Sequence, residues 1–182
     1  ESAKKLGYPV VLKTAVSGIS HKSEVHGVHL NLTSEDELRG AYKDLEKRLG
    51  SKALISPMID NEGVEMILGM ITDPQFGPMI TLGFGGVYAE ALKDVVTLMP
   101  PFSAETAEQA LSELKMESLL YGYRGSEALD VESYCKMASK FSLFALAMRN
   151  HICEIDVNPI ILGKDICLGL DALMVVHADN KN

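Results

Sequence analysis

Three short apolar runs, residues 53–58, 64–72 and 78–83, follow one another with only Asp60-Asn61-Glu62-Gly63 and Asp73-Pro74-Gln75-Phe76-Gly77 between them. Those segments are turn chemistry, so the runs read as strands that neighbour each other in sequence. A further short run, residues 10–13, is bounded by Gly7-Tyr8-Pro9, and a second strand covers 27–32. Ser34 with Glu37 forms a capping box before Leu38, Ala41, Tyr42, Leu45 and Leu49, which recur at helical spacing and stop at Gly50. Ser103 opens a second helix through Ala107, Ala110, Leu111 and Leu114. Asp130 opens a longer one carrying Val131, Tyr134, Ala138, Phe141, Ala145 and Met148. The stretch from the glycine-rich break at 83–86 to Pro101 reads as irregular. Two last strands, 152–162 and 166–176, flank Gly163-Lys164-Asp165. Adjacent strands with helices interspersed, rather than strict alternation, predict an α+β fold with mostly antiparallel sheet.

The length of 182 residues, 47% hydrophobic, suffices for one well-buried core or one domain of two lobes. No apolar run approaches the ~20 residues of a membrane span and no signal peptide opens the chain, which predicts a cytoplasmic protein without a membrane partner. The formal charge of −8 argues against a nucleic-acid partner, whose phosphates need a basic face, but not against a nucleotide. Cys135, Cys153 and Cys167 have no CxxC spacing and read as reduced core residues. Residues 1–7 read as the last turns of a helix closed by Gly7, the interior of something longer.

The C-terminal hairpin is the most informative segment. Glu154-Ile155-Asp156-Val157-Asn158 alternates strictly, which puts Glu154, Asp156 and Asn158 on one face. With Lys164-Asp165 as a two-residue turn, Asn158 lies opposite Asp171 and shares its face, while Ile155 and Val157 back onto Met174 and Ala172. Three carboxylates and an amide oxygen then converge, a donor set suited to Mg²⁺ or Mn²⁺. A solvated polar face is the other reading of the same pattern, and a one-residue slip in the turn would part the pair.

Other positions carry chemistry more loosely. Lys13 ends a strand and can meet phosphate oxygens or simply extend from the sheet end. His21, in a polar loop, can take a phosphoryl group or act as a base, or lie idle on the surface; nothing nearby completes a zinc site with His26 and His29. The glycines of 83–86 would let an anion approach the backbone, though a plain turn needs them equally. Glu65 can accept from a ribose hydroxyl or serve as an ordinary strand acid, and Arg124, in Gly122-Tyr123-Arg124-Gly125, can clamp phosphate or lie on the surface.

Taken together, the segments GYPVVLK (7–13), SGISHKSEVHGV (17–28), GVEMILGMITDPQFGPMITLGFGGVYAEALKDV (63–95), GYRG (122–125), EIDVNPIILG (154–163) and LGLDALMV (168–175) resemble the ATP-grasp portion of NDP-forming acyl-CoA synthetases. The type is the ADP-forming acetyl-CoA synthetase β subunit, a relative of the succinyl-CoA synthetase β subunit. The resemblance implies an ATP-grasp fold of two α+β lobes: residues 1–57 as the remainder of an incomplete first lobe, 58–182 as the second. It implies conversion of acyl-CoA, ADP and phosphate to acid, CoA and ATP through an acyl phosphate and a phosphohistidine. Carried over, Lys13 touches nucleotide phosphates, Ser56, Pro57 and Met58 meet the adenine, and Glu65 lies near the ribose. Asn158 and Asp171 hold Mg²⁺ (or Mn²⁺) with ATP or ADP, and Glu154 and Asp156 then support them or pair with lysines rather than bind the ion. His21 and Arg124 are the catalytic candidates. The expected partner is a CoA-binding domain or α subunit that carries the phosphohistidine, in an oligomer, and the fragment alone should not catalyse the whole reaction. A nucleotide- or acyl-CoA-sensing module of a protein-lysine acetyltransferase is the alternative. The family's usual Gly-Gly-Val after its HKS segment is here His26-Gly27-Val28, so a residue with a Cβ stands at the first glycine.

Overall fold

The computed structural model describes residues 1–19, 22–59, 63–86 and 92–177. The chain divides into two compact units, residues 1–60 and 61–182.

In the first unit, α1 (Ser2–Leu6) ends at Gly7, whose φ of 82° is the left-handed stop expected of that glycine. Three antiparallel strands follow in the order β2-β1-β3: β1 (Val10–Thr14), β2 (Val28–Leu32) and β3 (Ala53–Pro57). Between β2 and β3 runs α2 (Glu35–Arg48). Its cap forms as the sequence predicts: the Glu37 N–H donates to Ser34 Oγ at 3.3 Å, and the Glu37 carboxylate accepts the Thr33 N–H at 2.8 Å. Val10 and Leu12 of β1 pack with Leu32, Ala41 and Leu45 as the buried centre of this unit.

The second unit is a six-stranded sheet ordered β6-β5-β4-β7-β8, with β9 also on β7, every pairing antiparallel. Its strands are β4 (Gly63–Asp73), β5 (Gly77–Phe84), β6 (Val95–Leu98), β7 (Ile152–Gly163), β8 (Cys167–Gly169) and β9 (Ala172–Val176). Helices α3 (Ala104–Leu111) and α4 (Val131–Met148) close one face, burying Met66, Leu68, Met70, Ile80, Leu82, Ile155, Ile160 and Leu162 against Leu111, Tyr134 and Ala138. The apolar residues of β4 alternate onto that face, the period-2 pattern of a half-covered strand.

Three sequence expectations change. Residues 95–98, read as irregular, form β6; four residues between a glycine-rich break and Pro100-Pro101 give too short a pattern to stand out. The predicted last strand is broken at Leu170–Asp171, opposite Pro159, which has no N–H for the ladder. All three cysteines are free thiols, but only Cys135 is buried.

Two buried polar groups tie the elements together. Asp94, 3% exposed, accepts the N–H groups of Lys115 at 2.8 Å and Met116 at 2.9 Å. The fully buried Tyr134 hydroxyl donates to the Ile67 carbonyl at 2.5 Å. Burial pushes its pKa far above the ordinary phenol value. Each group would be costly to leave unpaired. Tyr134→Phe, which strands the Ile67 carbonyl, is expected to cost about 1–3 kcal/mol, and Asp94→Ala, which strands two amides, at least about 2 kcal/mol, both read from thermal or urea unfolding.

Candidate functional site

β7 sets the geometry of the site because it pairs with β4 on one side and with β8 and β9 on the other. The Gly163 N–H donates to the Ile166 carbonyl at 2.8 Å, so Lys164 and Asp165 form the two-residue turn the sequence suggests. Leu162 pairs with Cys167 and Ile160 with Gly169; past the break, Val157 pairs with Ala172 and Asp156 with Leu173. The register is the same on both sides of Leu170–Asp171. Asn158 therefore stands opposite Asp171, its N–H donating to the Asp171 carbonyl at 3.2 Å, while the Leu170 N–H donates to the Pro159 carbonyl at 2.9 Å. Asn158 is exposed and Asp171 half-buried, with Asp171 Oδ1 accepting the Ala172 N–H at 3.0 Å.

The three-carboxylate cluster does not form. Asp156 and Glu154 sit opposite Leu173 and Val175, and at about 3.3 Å per residue Glu154 is some 13 Å along the strand from Asn158. Among the described residues, no group of three or more His, Cys, Asp or Glu side chains could hold a metal ion. What remains is one carboxylate beside one amide, two hard oxygen donors. This fits Mg²⁺, which usually keeps waters and takes its other ligands from phosphates.

Glu65 of β4 is half-buried, and its carbonyl accepts the Gly85 N–H at 2.7 Å. A Cβ on Gly86 (φ 57°) would lie 2.0 Å from Glu65 Oε2, and one on Gly83 would lie 2.4 Å from the Asp94 carbonyl. These glycines therefore serve close approach between strands. A carboxylate over Gly86 also opposes an anion there, so the phosphate-cradle reading of 83–86 is not favoured. As an acceptor, Glu65 suits a hydroxyl donor.

In the first unit, Lys13 pairs with Val28 and Leu54, and Val11 with Ser56. Lys13 and Ser56 are diagonal neighbours, about 7–8 Å apart, on the face turned away from the Leu12–Leu45 core. Pro57 pairs with the buried Val10 and belongs to the other alternation; the Met58 N–H donates to the Pro9 carbonyl at 3.0 Å.

Ser20 and His21 lie outside the described residues. The loop after them is tied down: the His26 N–H donates to the Ser23 carbonyl at 3.0 Å, and the Gly27 N–H to the Lys22 carbonyl at 2.7 Å. Sequence reading missed Arg48, whose guanidinium donates to the carbonyls of Val25 at 3.1 Å and His26 at 3.0 Å. Asp44 holds that guanidinium at 2.6 Å, and Arg48 in turn keeps the Asp44 carboxyl below its ordinary pKa. Their i, i+4 spacing on α2 was the available signal. His29 Nε2, buried without a hydrogen bond, lies 3.5 Å from Asp44, a charge contact when the ring is protonated rather than a formed bond. His26 has φ 49°, which accounts for the glycine of the family pattern at this position.

Arg124 (φ 51°) is exposed in a turn closed by Ser126, its guanidinium 5.3 Å over the Tyr123 ring. The following loop is fastened to the hairpin tip, the Asp130 N–H donating to the Gly163 carbonyl at 2.8 Å and Lys164 pairing with Glu127 at 2.6 Å. That anchor is five residues along β7 from Asn158, about 16 Å. The structure thus gathers Asn158 with Asp171, and Lys13 with Ser56, and fastens the Arg124 loop elsewhere.

Residues 1–176 match the family model of the ATP-grasp domain. The chain is 41% identical to trans-feruloyl-CoA synthase from an unknown prokaryotic organism, over 97% of this chain but 26% of that protein, so it spans about a quarter of that relative's length. It is 35% identical to the β subunit of the ADP-forming acetate–CoA ligase I of Pyrococcus furiosus, over 94% of this chain and 77% of that subunit. Among solved structures it is similar to the dinucleotide-forming acetyl-coenzyme A synthetase 1 of Ca. Korarchaeum cryptofilum, in complex with coenzyme A and Mg-AMPPCP, at 34% identity and a TM-score of 0.86, covering 97% of this chain and 80% of that one. With two α+β units of antiparallel sheet and this match across nearly its whole length, the chain belongs to the ATP-grasp domain family.

Proposed function

We propose that this chain is the nucleotide- and magnesium-holding part of an ADP-forming acyl-CoA synthetase, an acid–thiol ligase converting acyl-CoA, ADP and phosphate to acid, CoA and ATP. The observation that carries the reading is the placement of Asn158 opposite Asp171 on the open side of β7, in a chain similar over 97% of its length to a synthetase solved with Mg-AMPPCP.

Both units carry candidate residues. In the first, Lys13 meets phosphate oxygens as a point charge, while Ser56 and Met58 offer polar and apolar contacts to the adenine, with Pro57 stiffening the strand end. In the second, Glu65 accepts from ribose hydroxyls, and Asn158 and Asp171 hold the ion. The bound ion, Mg²⁺ or Mn²⁺, supplies charge neutralisation for the phosphate chain. His21 handles the phosphoryl group, and Arg124, carried on a separate loop, clamps phosphate only if that loop is brought to it. CoA binding and the phosphohistidine belong to a further domain or an α subunit, as the β-subunit relative suggests.

Mg-ADP at about 100 times its dissociation constant is expected to stabilise the full-length protein by about 2.7 kcal/mol. Asp171→Ala should abolish that stabilisation, while Asp165→Ala at the hairpin tip should retain it. A wild-type protein whose melting temperature ignores Mg-nucleotide sinks the reading. Binding without synthetase activity would point instead to a sensing module. His21→Ala is expected to lower acyl-CoA-dependent ATP synthesis by about 100-fold or more while leaving Mg-nucleotide stabilisation in place; an unchanged rate excludes the role.

A further inference from the structure

Where the start of β7, the strand of Asn158, meets the end of β9, the strand that follows Asp171, the sheet holds a second pair of reactive groups. Ile152 pairs with Val176 and Glu154 with Val175, so Cys153 is the extra residue of a β-bulge. The His177 N–H donates to the His151 carbonyl at 2.9 Å, holding the end of β9 against β7. The bulge brings Cys153 Sγ within 3.1 Å of His177 Nδ1, with the thiol half-exposed and the imidazole exposed.

The other two thiols have different surroundings. Burial pushes Cys135 up to about 12 and Cys167 up to about 11, so both stay protonated at neutral pH. Neither has a described imidazole within bonding distance. The Cys153–His177 pair has no place in the nucleotide reading, yet it combines a nucleophile, a base in contact with it and access for a small reagent.

We propose that Cys153, with His177 as its base, is a covalent modification site for low-molecular-weight disulfides. The Cys153 proton passes to His177 Nδ1. The thiolate attacks one sulfur of a disulfide R–S–S–R, forming the Cys153–S–S–R bond as the reagent's own S–S bond breaks. The departing R–S⁻ takes the proton back from the imidazolium, so no further oxidant is needed.

The test is competitive labelling of the full-length protein at neutral pH, with limiting iodoacetamide in one arm and oxidised glutathione in the other. Site occupancy is read by peptide mass spectrometry. Cys153 is expected to label about tenfold faster than Cys167 and to be the first residue to carry glutathione. His177→Gln keeps a polar side chain but cannot take the proton, and should slow Cys153 labelling several-fold without moving the melting temperature. Cys153→Ser should remove the fast adduct. The proposal is overturned if Cys153 reacts no faster than Cys167, or if His177→Gln leaves its rate unchanged, since exposure alone would then explain the labelling.

Discussion

The bond from the Asn158 N–H to the Asp171 carbonyl sits where the strand facing β7 is interrupted and where the β4–β7 ladder on the other side shifts register. Pro159 offers no donor there, and the facing strand breaks into β8 and β9. On the β8–β9 side pairing resumes without gain or loss of a residue, while on the β4 side β7 carries one extra residue. A slip of one would turn Ile155, Ile160 and Leu162, all buried under α3 and α4, to the open face. The core therefore fixes the facing of β7, and the two-residue turn at Lys164-Asp165, through the common register of β8 and β9, fixes that Asp171 lies opposite Asn158.

The same dependence holds at the other end of the sheet. The open face can present Glu65 only because β4, β5 and β6 approach closely at Gly83 and Gly86, where a side chain would collide with the Asp94 carbonyl or the Glu65 carboxylate. Asp94 then binds two amides just past α3, and Tyr134 reaches from α4 to the Ile67 carbonyl, at the irregularity in the β4–β7 register. Buried polar groups at such points fix orientation as well as stability. They lock the helices to the back of the sheet whose front carries the candidate ligands.

How far this was legible from sequence varies by mechanism. The α2 cap and the hairpin register were legible because each depends on local spacing: Ser34 to Glu37, and residues counted from Lys164-Asp165. β6 was not, since four residues cannot establish a period. The three-carboxylate cluster failed because alternation gives a shared face but not proximity; Glu154 and Asn158 share the face at opposite ends of the segment. Arg48 was missed because its targets are the backbone carbonyls of Val25 and His26, which no side-chain pattern encodes. The Cys153–His177 contact depends on a bulge, an insertion invisible until two strands are paired.

The charge distribution bears on why an ion would be needed at all. β4 and β7 carry Glu65, Glu154 and Asp156 on the face away from α3 and α4, spread along the strands rather than gathered at Asp171, with Ile71 and Leu173 exposed on the same face. Such a surface repels a bare polyphosphate, in a chain whose formal charge is already −8. A divalent cation on Asn158 and Asp171 reverses that locally, because the ion is then the largest charge in the site. The neutral Asn158 matters in this respect: a second carboxylate would bind the free ion more tightly but leave less positive charge for phosphate. An amide paired with one carboxylate keeps net charge on the ion. On the proposed reading, the nucleotide is therefore recognised in the second unit as its metal complex.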